Sequence, residues 1–105
     1  DLATAESVCL DGLAMFPDSA EINAILGLLY AEQERFEDAK RVLLKARSKS
    51  PSDPRILVNL ARIHTTLKEH EAAREVLADG LRRLEGTGNP ALGQLRQMLE
   101  SLPLR

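Results

Sequence analysis

Apolar residues along this chain recur at three- and four-residue intervals, with charged residues between them. One such series is Ile22, Ile25, Leu26, Leu29 and Tyr30, which places the apolar side chains on one face of a helix. Prolines and residues that favour helix starts separate this series from the next ones. The pattern predicts helices over 2–15, 20–33, 37–49, 54–67, 71–85 and 90–101.

The predicted helices follow a repeat of 34 residues. Shifting the chain by this length superposes residues of matching size and polarity. The clearest columns are Ala5, Ala39 and Ala73; Val8, Val42 and Val76; Cys9, Leu43 and Leu77; and Gly12, Ala46 and Gly80. A unit of two helices repeated in this way predicts an all-α stack of antiparallel helix hairpins.

Small residues in the middle of the helices indicate close helix crossings. Gly27 and Ala61 occupy one column, where glycine costs about 1 kcal/mol relative to alanine in a helix. A close approach of the second helix would compensate. We therefore expect Ala39 and Ala73, early in the second helix of each pair, to face these sites.

The chain resembles the tetratricopeptide repeat family. The resemblance is carried first by Asn23, Leu26, Gly27, Tyr30, Ala39, Leu43, Ala46 and Pro51, and then by Leu57, Leu60, Ala61, His64, Ala73, Leu77 and Gly80. Asn23 departs from the large apolar residue of the family pattern, and Glu85 stands where the family has proline. The resemblance implies a right-handed superhelical stack of hairpins that acts as a protein-interaction module.

Domain organisation follows from the same register. We expect a single domain over 1–105, with a half repeat at 2–19, repeats at 20–53 and 54–87, and a capping helix at 89–102, as a fragment of a longer array. A degenerate first helix of a further repeat is the alternative interpretation of 89–102. The helix at 2–15 has no predicted hairpin partner, so we expect it to be the most labile element or to form a self-association contact.

The resemblance implies a concave groove formed by the first helix of each pair. On this chain the predicted groove residues are Glu21, Ala24, Leu28, Arg55, Val58, Asn59, Arg62 and Thr65. Arg55, Asn59 and Arg62 follow at four- and three-residue steps and so share one helix face. Two guanidiniums with an amide between them could hold a carboxylate or main-chain carbonyls.

Other chemistry finds little support in the sequence. The chain has 14 basic and 16 acidic residues, a balance that disfavours nucleic-acid binding. No apolar run approaches the ~20 residues that span a membrane. His64 and His70 lack metal-ligand spacing, Cys9 falls in a core column, and Gly86 follows a helix rather than a strand. We predict no catalytic, cofactor-binding or metal-binding residues.

The leading hypothesis is therefore a scaffold or adaptor that binds a peptide or a partner helix, and that is not an enzyme. Two alternatives remain open: a structural module that builds a homo-oligomer through the uncapped N-terminal face, and repeats that position a substrate for a catalytic domain outside this chain. The sequence does not indicate a compartment, and both a cytoplasmic and a periplasmic location are compatible with it.

Overall fold

The computed structural model describes residues 1–103, which form helices joined by short connectors, without a strand. The helices are α1 Leu2–Met15, α2 Ala20–Glu32, α3 Phe36–Lys49, α4 Pro54–Thr66, α5 His70–Leu84 and α6 Leu92–Ser101. The predicted helices agree with these bounds to within two residues at every end. Positions 104–105 of the predicted domain lie outside the described residues.

The chain divides into two compact units. Unit 1 runs from Asp1 to Ser50 and holds α1, α2 and α3, and unit 2 begins at Pro51 and holds α4, α5 and α6. Each unit therefore contains one complete hairpin and one additional helix. That both units belong to one domain of a longer array stays a prediction.

Packing in unit 1 depends on two glycines that admit neighbouring side chains. A Cβ placed on Gly12 of α1 would stand 3.0 Å from Cδ1 of Ile22, and a Cβ on Gly27 of α2 would stand 2.7 Å from Cγ of Leu43. The close crossing at Gly27 is confirmed, but the side chain nearest to it is Leu43 and not Ala39. Ala39 is itself fully buried.

Asn23 occupies a core position of unit 1 with its polar atoms satisfied. Only 2% of the residue is exposed. Its Nδ2 donates hydrogen bonds to the carbonyl of Ser19 at 2.9 Å and to that of Pro17 at 3.4 Å. The amide therefore ties α2 to the connector before it, which explains how asparagine replaces a large apolar residue without leaving an unpaired group.

Unit 2 has the more extensive core. Leu57, Leu60 and Leu77 are completely buried, together with Ala73 of α5 and Leu95 of α6. A Cβ placed on Gly80 of α5 would stand 2.6 Å from Cδ1 of Leu57 and 3.8 Å from Cδ1 of Leu95. The small residue in α5 therefore brings α4 and α6 close to it from two directions.

Both hairpin turns use a non-glycine residue in the left-handed region. The φ angle is 58° at Glu34 and 64° at Lys68. The next N–H in each turn bonds back across the helix end, from Arg35 to the Tyr30 carbonyl at 2.9 Å and from Glu69 to the His64 carbonyl at 2.8 Å. This is the hydrogen-bond pattern of a Schellman C-cap, which satisfies the last carbonyls of α2 and α4.

The connector before α6 differs from the other connectors between hairpins. It comprises residues 85–91, whereas the connectors before α2 and α4 comprise only 16–19 and 50–53. Gly86 and Gly88 adopt left-handed φ angles of 81° and 73°. The sequence predicts a helix beginning at 90, but Oδ1 of Asn89 accepts a hydrogen bond from the Ala91 N–H at 2.8 Å and closes a turn. For this reason α6 begins at Leu92.

Candidate functional site

A cleft of about 600 Å³ lies between α4 and α6 in unit 2. Its floor is Leu77 of α5, a residue with no exposed surface in its own right. The α4 wall consists of Arg62, Thr65 and Thr66, and the α6 wall consists of Gln94, Gln97, Met98 and Ser101, with Leu102 and Pro103 beyond. The α6 residues recur at three- and four-residue steps, so the cleft follows one face of that helix.

The hydroxyl groups of the cleft are already engaged as donors. Thr65 donates to the Ala61 carbonyl at 2.8 Å, Thr66 to the Arg62 carbonyl at 2.9 Å, and Ser101 to the Gln97 carbonyl at 2.8 Å. Such bonds to the preceding helical turn leave only the oxygen lone pairs for a ligand.

The donors that remain for a ligand belong to Arg62, Gln94 and Gln97. Within residues 1–103 these three side chains make no hydrogen bond or ion pair. Arg62 is the one charged side chain that lines the described cleft. The cleft therefore offers a positive charge and two primary amides above an apolar floor.

The predicted groove residues on α4 separate into two groups. Arg62 and Thr65 line the cleft, and their role in binding stays a prediction. Arg55 and Asn59 do not line it, and Arg55 pairs with Asp53 at 3.3 Å near the start of α4. Val58 is only 7% exposed and belongs to the core of unit 2. Of the three residues predicted to share a face of α4, only Arg62 lines this cleft.

The predicted groove residues on α2 lie in unit 1. Leu28 exposes 47% of its surface, and Ile25, which the sequence-based selection omitted, exposes 44%. Glu21 is exposed and Ala24 is half-buried. The face of α2 is therefore aliphatic where the face of α4 is polar.

Sequence reasoning missed the α6 side of the cleft. The prediction of a capping helix at 89–102 placed none of its residues in the groove, so Gln94, Gln97 and Ser101 were not among the predicted groove residues. The periodic spacing of these polar residues with Met98 was a usable signal. Treating α6 as the first helix of another hairpin, the alternative that was open, would have placed them on a groove.

Two other kinds of site bear on the chemistry of the chain, a reactive thiol and a metal centre. Burial raises the pKa of the Cys9 thiol, which disfavours the reactive thiolate. Among residues 1–103, no cluster of three or more His, Cys, Asp or Glu is arranged to hold a metal ion. In the same range, no helix has the length and apolar character needed to cross a membrane.

The described chain is thus an all-α protein made of repeated helical hairpins. The family model described as Tetratricopeptide repeat matches residues 30–99, and the chain belongs to this family of protein-interaction modules. Among solved structures, the chain is similar to the TPR2B domain of yeast Sti1 in its complex with pHsp70. The TM-score is 0.84 at 20% sequence identity, over 95% of this chain and 81% of that one, and this likeness shows the tetratricopeptide fold. A search of curated proteins found no match.

Proposed function

We propose that the chain binds an extended segment of a partner protein in the cleft between α4 and α6 of unit 2. The observation that carries this proposal is the set of unengaged donors, Arg62, Gln94 and Gln97, placed over the apolar floor of the same cleft. A continuing main chain needs both donors and acceptors from its receptor, and primary amides supply both.

Family membership and the solved neighbour support the same function. The family resemblance implies peptide binding on the first helix of each pair, and the similar domain of Sti1 is in a complex with pHsp70. Glu21, Ala24 and Leu28 of α2 belong to unit 1 and stay predicted partner contacts, separate from this cleft. The predicted groove residues Arg55, Val58 and Asn59 do not line the cleft, so the proposed site does not include them.

A peptide-display selection on the intact chain tests the proposal. Selected peptides would be titrated into isotope-labelled protein, and the amide resonances that shift would be mapped. We expect shifts at Arg62, Thr65 and along α6. Arg62→Ala should weaken binding, while Arg55→Ala, a matched change on the same helix, should have little effect. Selected ligands that leave the resonances of α4 and α6 unchanged would contradict the proposal.

A second candidate function, self-association, is supported by the surface of α1. Val8 is 65% exposed, whereas Val42 and Val76 in the same repeat column are 2% and 1% exposed. Met15 and Phe16 nearby are 74% and 61% exposed. We propose, as the second candidate, that the chain forms a homo-oligomer through this α1 surface.

Light scattering over a concentration series tests self-association. We expect the apparent mass to rise with concentration and the rise to disappear in Val8→Lys. Leu44→Lys is the control, because Leu44 is an exposed aliphatic residue on α3 rather than α1. A constant monomer mass at all concentrations would remove this candidate and leave peptide binding as the function.

A further inference from the structure

The cleft between α4 and α6 has a polar part and an apolar part arranged along α6. Gln94 and Gln97 lie in its first half, and Met98 and Leu102 lie towards its end. At a rise of about 1.5 Å per residue, the centres of these two pairs are about 7 Å apart. In an extended peptide, the side chains of residues i and i+2 point the same way and are separated by about 7 Å.

The apolar part matches an aliphatic side chain of a ligand. Its floor is Leu77 and its walls are Met98 and Leu102. Met98 is a flexible residue that can adjust to branched or unbranched aliphatic groups. Both walls are half-buried, which leaves surface for a ligand to cover.

The charge of Arg62 in this cleft matches a carboxylate, and we place that carboxylate beside Gln94 and Gln97. Arg62 is the charged residue of the described lining, no carboxylate lines the cleft beside it, and no described residue pairs with it. A peptide carboxylate would complement this charge. Gln94 and Gln97 each add a carbonyl acceptor to their N–H donors, so they suit a main chain that continues past the site better than a chain terminus.

We infer that the cleft recognises an extended peptide segment in which an aliphatic side chain and a side-chain carboxylate stand two residues apart. The inference rests on the proposed function and specifies the ligand of the same site. The carboxylate is that of an internal Asp or Glu, and the aliphatic side chain packs against Met98 and Leu102.

The probes are decapeptides of Gly and Ser, acetylated and amidated at their ends, that carry Leu-Ser-Glu or Glu-Ser-Leu. Comparison peptides carry Leu-Ser-Gln, carry Ala-Ser-Glu, or separate Leu and Glu by five residues. Dissociation constants come from amide chemical shifts of the intact chain. We expect replacement of Glu by Gln to weaken binding about two- to fivefold. Replacement of Leu by Ala should weaken it about tenfold.

Variants of the protein assign each preference to its side chain. Arg62→Gln should abolish the preference for Glu over Gln and keep the preference for Leu. Met98→Gln should reduce the preference for Leu and keep that for Glu. Arg55→Gln is the matched control and should keep both, and thermal melts establish that every variant is folded.

Several outcomes would overturn the inference. Equal affinity for the Glu and Gln peptides, or equal affinity at the two spacings, would remove the proposed pairing. Equal affinity for a peptide in which a free C-terminal carboxylate replaces the Glu side chain would also remove it. If display-selected ligands shift the cleft resonances but lack the pairing, the inference fails and the proposed function stands. If no ligand shifts those resonances, both fail.

Discussion

In the hairpin α2–α3, Leu43 of the second helix lies over Gly27 of the first. In the hairpin α4–α5 the arrangement is reversed, because Leu57 of the first helix lies over Gly80 of the second. The equivalent positions, Ala61 and Ala46, carry a methyl group instead. Each crossing therefore has one glycine, which can lie on either the first or the second helix.

The two hairpin turns share a backbone but differ in their side chains. Arg35 lies over the ring of Tyr30, with its Cζ 4.3 Å from the ring centre, and pairs with Glu6 and Asp38. Desolvation lowers the pKa of Arg35 and its hydrogen bonds to Asp38 and Glu6 raise it, with a net rise. In the other turn, Nδ1 of buried His64 lies 2.8 Å from Oε1 of Glu69. Arg35 and Glu69 are thus equivalent in the repeat: Arg35 places its charge over the face of the Tyr30 ring, and Glu69 pairs with a nitrogen of the buried His64 ring.

We expect the largest losses of stability at the buried alanine that both hairpins share. Ala39 and Ala73 are both fully buried, so Ala39→Leu and Ala73→Leu should each lower the free energy of unfolding by about 1–3 kcal/mol through overpacking. Thermal unfolding followed by circular dichroism measures the change. Ala14→Leu, at an exposed helical position, is the control and should shift the midpoint little. An unchanged midpoint in either core variant would show that its crossing has room to spare.

The next effect separates the two turns. Glu69→Ala removes the hydrogen-bond partner of a buried ring nitrogen and should lower the free energy of unfolding by about 1–3 kcal/mol. Arg35→Ala removes contacts that are largely solvent-exposed, so its midpoint should fall less. Chemical denaturation of the two variants provides the comparison. A larger loss for Arg35→Ala would reverse our ranking of the turns.

The two glycine crossings should also respond unequally. At Gly27 a new methyl group would meet the branch point of Leu43, whereas at Gly80 it would meet the terminal methyl of Leu57, which can rotate away. Overpacking of about 1–3 kcal/mol opposes a propensity gain of about 1 kcal/mol. We expect Gly27→Ala to destabilise the fold and Gly80→Ala to be nearly neutral.

Gly93→Ala is the control for both glycine variants. No heavy atom lies within 4 Å of a Cβ at this helical position. The alanine should therefore raise the midpoint through helix propensity alone, by up to about 1 kcal/mol in stability. Destabilisation by Gly80→Ala as large as that by Gly27→Ala would show that Leu57 is as constrained as Leu43.

We expect the smallest change in stability at the left-handed turn residue that both hairpins share. Glu34 and Lys68 adopt left-handed φ angles that cost a non-glycine residue about 1–2 kcal/mol, and the added chain entropy of glycine offsets about half of that. Glu34→Gly and Lys68→Gly should therefore raise the midpoint slightly and equally. Gln33→Gly, one residue earlier at a φ of -87°, should lower it. A decrease in either turn variant would show that its side chain contributes more than its backbone strain costs.

Much of the fold was predictable because helices, breakers and the repeat are local or periodic properties. The alternation of apolar and polar residues predicts α2 and α4, and Pro17 and Pro51 lie shortly before their first residues. The identity of the residue over Gly27 was not predictable in this way. Leu43 and Ala39 lie on the same side of α3, and which of them reaches α2 depends on the direction of the helix crossing.

The candidate site was predicted in part. Arg62 and Thr65 could be selected because they occupy non-core positions of a first helix. The α6 wall depends on the longer connector 85–91, where Asn89 closes a turn and delays the helix by two residues. That displacement results from local hydrogen bonds of Thr87 and Asn89, which a repeat alignment does not contain.

The connector before α6 has a consequence for protein engineering. A hairpin fused in the periodic register of the first two would begin its first helix after a connector as short as 16–19 or 50–53. The connector 85–91 is longer and places α6 later in the chain. A chimera built by counting from Leu84 would therefore rotate the new helix away from the face that its sequence was chosen to bury. Grafting should instead shorten the segment around Gly86 and Gly88, or align the new unit on the buried position of Leu95.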